Sequence, residues 1–134
     1  MTKLIIYTDG GSRGNPGPSA IGVVVGDKGY GEQISRTTNN IAEYSAVVFA
    51  LKKAKQLLGK TKAKLTEVDL RVDSELLVKQ LNGLYKIENE GLQPLFIKIW
   101  NLKQDFKKVV FTHVPREKNR EADRLVNKAL DTLL

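Results

Sequence analysis

The chain contains no cysteine, and only one histidine and one tryptophan, among its 134 residues. The missing thiols exclude disulfides, thiolate zinc sites and cysteine nucleophiles together, so any metal must sit on oxygen or imidazole. No stretch of about 18 uninterrupted apolar residues occurs, which excludes an apolar membrane-spanning helix. The start, Met1-Thr2-Lys3-Leu4, runs straight into a strand-like segment with no apolar leader or cleavage site. A soluble, cytoplasmic protein without membrane association is expected. Repeats, low-complexity tracts and linkers are lacking too, and this length suits one hydrophobic core, so residues 1–134 are expected to form a single domain.

Acidic residues are in deficit, 15 Asp and Glu against 22 Lys and Arg, which leaves a net charge of +7. That balance attracts polyanions at long range and puts nucleic acid first among partners, although many basic soluble proteins bind none. No obligatory protein partner is evident, and a monomer is expected. With 41% hydrophobic and 28% charged residues the composition is that of an ordinary globular protein, not a disordered one.

Leu4 to Thr8 is a short apolar run rich in β-branched and aromatic residues, which predicts a buried strand ending at Asp9. Gly10 to Pro18, with four Gly and two Pro, reads as a loop. Ala20 to Val25 and Tyr30 to Arg36, separated by Gly26-Asp27-Lys28-Gly29, complete an antiparallel meander. Ile41 to Leu58 then follows helical spacing, with Ala42, Ala46, Phe49, Ala50 and Leu57 on one side and Asn40 as N-cap. Beyond Gly59 and a lysine-rich connector, Val68 to Val72 alternates as a strand does, and a short helix from Ser74 to Leu81 follows.

An irregular segment over Lys86 to Gly91 precedes a helix opened by Pro94, with Leu95, Ile99, Leu102 and Phe106 at helical spacing. Val109 to Val114 predicts a fifth strand, and Glu117 to Leu134 a last helix burying Ala122, Leu125, Val126, Ala129 and Leu130. Three strands, helix, strand, two helices, strand, helix describe an α/β protein with a mixed sheet, its later strands parallel to the first.

Four carboxylates fall where this layout could gather them: Asp9 and Asp73 at strand ends, Glu43 near the start of the long helix, and Asp123 in the last helix. Each has an ordinary explanation. Asp9 could start a turn, Glu43 could close a capping box with Asn40, Asp73 could precede a helix start, and Asp123 could be a solvated residue between arginines. Asp9 and Asp73 share the strand edge where open α/β sheets bind ligands, however. Carboxylates that close raise one another's pKa unless a cation lies between them, and Mg²⁺ is the natural candidate because it prefers oxygen ligands.

The segments Tyr7-Thr8-Asp9-Gly10-Gly11-Ser12 with Gly14-Asn15-Pro16-Gly17, Thr38-Asn39-Asn40-Ile41-Ala42-Glu43, Val72-Asp73-Ser74, and His113 with Asn119 and Ala122-Asp123 closely resemble the type 1 ribonuclease H family. The resemblance runs nearly end to end, with four motifs in order. It implies the ribonuclease H-like fold, a five-stranded mixed sheet flanked by helices on both faces. It also implies that Asp9, Glu43, Asp73 and Asp123 hold two Mg²⁺ ions, with Mn²⁺ as the alternative, across the scissile phosphate of the RNA strand in an RNA/DNA hybrid. In that scheme one ion activates water and the other neutralises the departing ribose 3′ oxygen, leaving 5′-phosphate and 3′-hydroxyl ends. Asp9 would bridge the ions, with Asp123 nearer the nucleophile and Glu43 and Asp73 nearer the leaving group.

His113, which out of context reads as a surface or core residue, matches the family's mobile histidine, a proton shuttle or product-release aid. Asn15, Asn39 and Asn40 read by themselves as loop and cap residues; the resemblance adds a role in sensing ribose 2′-hydroxyls, the group that separates RNA from DNA. Thr38 and Arg13 are candidates for phosphate contact, and Ser74 for substrate contact beside Asp73. Two departures stand out. Glu75 replaces the Gln of some relatives and could accept a 2′-hydroxyl hydrogen bond or weaken binding. The segment from Asn82 to Pro94 is too short for the basic handle of some relatives, leaving Lys86 and Tyr85 as substitutes beside a positive field that includes Lys52, Lys53, Lys60, Lys62 and Lys64. The rival readings are a non-catalytic nucleic-acid-binding module and a strand-transfer or junction-resolving nuclease on the same fold.

Overall fold

A computed structural model describes residues 2–132. Strand β1 (Thr2–Ser12) buries Ile6, Thr8 and Gly10, the alternation of a sheet element whose two faces meet different surroundings. It pairs antiparallel with β2 (Gly17–Val25), which pairs antiparallel with β3 (Lys28–Thr37). Helices α1 (Asn39–Leu58) and α2 (Lys60–Lys64) lead to β4 (Thr66–Val72), which lies parallel to β1 on its other side. Helices α3 (Glu75–Leu81) and α4 (Gln93–Lys103) lead to β5 (Lys108–His113), parallel to β4. A 3₁₀ turn at Arg116–Lys118 precedes α5 (Arg120–Asp131).

The sheet order is β3-β2-β1-β4-β5, a five-stranded mixed sheet as expected. The larger core joins α1 to β1, β2 and β4, with Ile6, Tyr44, Leu51 and Leu70 at 1% exposure or less and α3 and α4 completing the layer. On the opposite face α5 packs Val126, Ala129 and Leu130 against Ala20 of β2. Each large apolar side chain so buried contributes about 1.5–3 kcal/mol to holding a helix on its face. Among the described residues no helix is long and apolar enough to cross a membrane.

Several local expectations are corrected. Strand β1 does not end at Asp9: Gly10, Gly11 and Ser12 continue the ladder opposite Ile21, Ala20 and Ser19, so the loop shrinks to residues 13–16. Asn40 is not the cap of α1. Thr38 is, its hydroxyl accepting from the Ile41 N–H, which also removes the capping-box reading of Glu43. The lysine-rich connector folds into α2, which buries Ala63, and Leu57 is 44% exposed and off the core. The last helix begins at Arg120, not Glu117, and its expected extension to Leu134 lies outside the described residues.

Candidate active site

Strand register brings the first two carboxylates together. The β1–β4 ladder runs from Thr2↔Thr66 to Tyr7↔Arg71, and the chains leave it side by side, so that Asp9 and Asp73 line the same cavity and repel one another. Asp73 is the first residue after β4; the chain then turns through Ser74, whose hydroxyl caps α3 by accepting from the Leu77 N–H at 3.2 Å. On the next strand His113 pairs with Val72, so the imidazole stands at the same sheet edge.

Two glycines bring in the other two carboxylates. A β-carbon on Gly10 would stand 2.3 Å from the carbonyl of Ala42 and 2.5 Å from the Glu43 nitrogen, so the backbone of α1 rests directly on β1 there. A β-carbon on Gly22 would meet the Ala122 carbonyl oxygen at 2.1 Å, so α5 rests on β2 in the same manner. Gly22 is the ladder partner of Asp9. Backbone-to-backbone approach thus fixes Glu43 and Asp123 on either side of Asp9, a placement that any side chain at these glycines would block.

Asp9, Glu43, Asp73 and Asp123 line one cavity of about 300 Å³, whose rim includes Arg13, Asn39 and Arg116. The Asp9 carboxyl is pushed up to about 8, first by burial, then by the charges of Asp73 and Asp123 and a hydrogen bond shared with Asp123. Burial lifts Glu43 to about 7, against a hydrogen bond from Ser74 that favours its ionised form. Among the described residues no three acidic or imidazole side chains close on a single point as a ready-made cage would. An open, carboxylate-lined bowl with no sulfur fits a hard divalent cation such as Mg²⁺, which takes one or two carboxylates and fills its remaining positions with water and substrate oxygen. Clustered, partly buried carboxylates are also the arrangement whose repulsion such an ion relieves.

The remaining candidates divide. Asn39, at the start of α1, accepts from the Ser12 N–H and hydroxyl (2.9 and 3.1 Å), and Asn15 accepts from the Asn39 N–H (3.0 Å). These bonds clip the loop after β1 to the N-terminus of α1, and they use only amide oxygens. Asn40 is exposed, and among the described residues its side chain has no hydrogen-bond partner. Arg13 reaches Asp131 at 2.6 Å on the surface. Glu75 is ion-paired with Lys79 (2.9 Å), whose hydrogen bond holds its carboxyl below the usual range, with a smaller contribution from His113. Lys86 is exposed in the irregular segment and does not line the carboxylate cavity. A larger cavity of about 640 Å³, lined by Tyr85, Ile87, Phe96 and Ile97 among others, shares no residue with it.

Sequence reasoning gave no role to Asn119, which is 1% exposed and donates to the Thr8 carbonyl (2.9 Å) and the Asp73 carboxylate (3.2 Å). Arg116 on the cavity rim was also missed. A signal for Gly22 was available, since an isolated glycine inside an apolar strand marks close approach of another backbone.

Residues 7–129 match the family model described as reverse transcriptase-like. The chain is 41% identical to the ribonuclease HI of Halobacterium salinarum, over 96% of this chain and 65% of that protein. It is 37% identical to the bifunctional protein Rv2228c of Mycobacterium tuberculosis over 96% of this chain, yet spans only 36% of that protein's length. Among solved structures, LC11-RNase H1 in complex with RNA/DNA hybrid superposes with a TM-score of 0.90 at 45% identity, covering 96% of this chain and 97% of the other.

Proposed function

The chain belongs to the type 1 ribonuclease H family, and from that membership we propose that it is a metal-dependent endoribonuclease that hydrolyses the RNA strand of RNA/DNA hybrids. The observation that carries the reading is the convergence of four carboxylates from distant parts of the chain on one cavity, with the Asp9 carboxyl raised by burial and then by its acidic neighbours. Asp9, Glu43, Asp73 and Asp123 would hold two Mg²⁺ ions. Held there, they would supply Lewis-acid activation of water and charge neutralisation at the leaving ribose 3′ oxygen, chemistry consistent with 5′-phosphate and 3′-hydroxyl ends.

The chain's own residues do the rest. His113, opposite Val72 at the end of β5, would move a proton at the leaving group or ease product departure. Asn15 and Asn39, whose amide oxygens are already engaged, keep their NH₂ groups as donors for ribose 2′-hydroxyl oxygens, and Asn40 adds a third amide at the helix start. Thr38 and Ser74, whose hydroxyls cap α1 and α3, would contact the substrate at those helix starts. The net charge of +7 supplies long-range attraction to the duplex.

One labelled sequence presented as hybrid, double-stranded RNA, DNA duplex and single-stranded RNA, with Mg²⁺ and with a chelator, tests this. Cleavage of the hybrid alone among these substrates, abolished by the chelator, is expected. Equal cutting of the DNA duplex would favour a junction or strand-transfer nuclease, and binding without cutting a non-catalytic module.

A further inference from the structure

Asn119 sits where a helix cap belongs but does not cap. It lies between the 3₁₀ turn and α5, and asparagine at that place ordinarily turns its side-chain oxygen onto the free N–H groups of the first helical turn. Here no such bond forms. The side chain points inward instead, and its Nδ2 donates to the carbonyl of Thr8, the residue before Asp9, and to Oδ2 of Asp73. Its own backbone carbonyl accepts from the Asp123 N–H at 3.2 Å. A single buried residue therefore touches the strand beside Asp9, the carboxylate of Asp73 and the backbone of Asp123.

We propose that Asn119 is a positioning residue that fixes Asp73 relative to Asp9 and Asp123 for metal binding, an inference that rests on the nuclease reading above. The amide can face this way only with its NH₂ group inward, because both inward partners are acceptors. That orientation leaves Asn119 Oδ1 buried without a partner among the described residues. A residue placed for folding alone would use that oxygen as the cap of α5; an unsatisfied acceptor kept in a core calls for another reason. Donation to one oxygen of Asp73 fixes the carboxylate plane and leaves its other oxygen for an ion, the service that outer neighbours provide to metal-binding carboxylates.

The test uses the full chain with Asn119→Ala and Asn119→Ser, each followed by thermal unfolding without divalent ions, Mn²⁺ titration by calorimetry, and steady-state cleavage of a hybrid. Mn²⁺ affinity and kcat should each fall about 10- to 100-fold, the usual effect of losing an outer neighbour, while KM for the hybrid stays within about twofold because the amide lies beneath the substrate surface. Should the alanine variant fail to fold, the serine variant, which keeps a small donor, carries the measurement. Combined with Asp73→Asn, the Asn119→Ala loss of Mn²⁺ affinity should largely vanish, and combined with Glu43→Gln it should persist, since only the first pair shares a contact. A folded Asn119 variant that binds Mn²⁺ as tightly as the unaltered protein overturns the positioning role. If the unaltered protein itself neither binds Mn²⁺ nor cuts hybrid, the nuclease reading fails first.

Discussion

The carbonyl oxygen of Ala122 occupies the space that a β-carbon of Gly22 would need, 2.1 Å from where that carbon would stand. Because Gly22 pairs with Asp9 and Ala122 precedes Asp123, this one contact sets the depth at which the last carboxylate meets the first. Gly22→Ala must push α5 away from the sheet. We expect a loss of about 1–3 kcal/mol, the usual range for overpacking, with cleavage falling much further than the folded fraction at 25 °C. Denaturant unfolding and hybrid cleavage on the same preparation check this; a variant of full activity would show that Asp123 does not depend on this contact.

Asp9→Asn should abolish hybrid cleavage and also change how stability depends on pH. A carboxyl whose folded pKa lies above its unfolded value binds its proton more tightly when folded, so stability declines as pH rises from the unfolded value through the folded one. For Asp9 that window runs from 3.8 to about 8, and Glu43, raised from 4.5 to about 7, acts in the same direction. The metal-free protein should therefore melt at progressively lower temperature between pH 5 and pH 8. Asn at position 9 removes the larger share of that slope and leaves the variant several degrees more stable at pH 8, ~1 kcal/mol being worth roughly 4 °C in a chain of this size. Mg²⁺ should raise Tm of the unaltered protein and barely move the variant. Parallel Tm-against-pH curves for the two proteins would disprove the raised Asp9 pKa that burial and its acidic neighbours impose.

Much of this arrangement was legible in the sequence, and the exceptions share a cause. The apolar, β-branched run of Leu4–Thr8, the alternation of Val68–Val72 and the helical stripe of Ala42, Ala46 and Ala50 identify elements because burial shapes those patterns directly. Gly10-Gly11 reads as a turn because glycine usually supplies conformational freedom; here Gly10 supplies room for α1, which only the packed structure reveals. Thr38 rather than Asn40 caps α1, a choice the local sequence leaves open because two good capping residues stand two positions apart. The four carboxylates were found through strand ends and motif resemblance. Asn119 belongs to the motif that carries the resemblance but received no role, since its partners Thr8 and Asp73 lie 111 and 46 residues away.

His113 should contribute without being indispensable. It stands at the exposed end of β5 and does not line the carboxylate cavity. His113→Ala is expected to slow turnover by about 10²-fold at most, the low end for general acid–base groups, leaving Mn²⁺ affinity unchanged. Loss as complete as with Asp9→Asn, together with weaker Mn²⁺ binding, would make His113 a ligand.

Thr38 and Asn40, two residues apart at the start of α1, should separate stability from substrate reading. Thr38 caps the helix through its hydroxyl, so Thr38→Ala should cost about 1 kcal/mol in unfolding free energy. Asn40 is exposed and already inside the helix, so Asn40→Ala should leave the melting curve nearly unchanged. The cost of Asn40→Ala should appear in cleavage. If, as proposed, it engages ribose on successive nucleotides together with Asn15 and Asn39, a DNA-paired strand carrying about four consecutive ribonucleotides should be cut and a strand with one should be nearly inert. Asn40→Ala should slow cutting of the four-ribonucleotide strand while Tm stays put. Cleavage of the single-ribonucleotide strand at the same rate as the run would rule out these amides as the element that reads RNA, because one 2′-hydroxyl at the cut would then suffice.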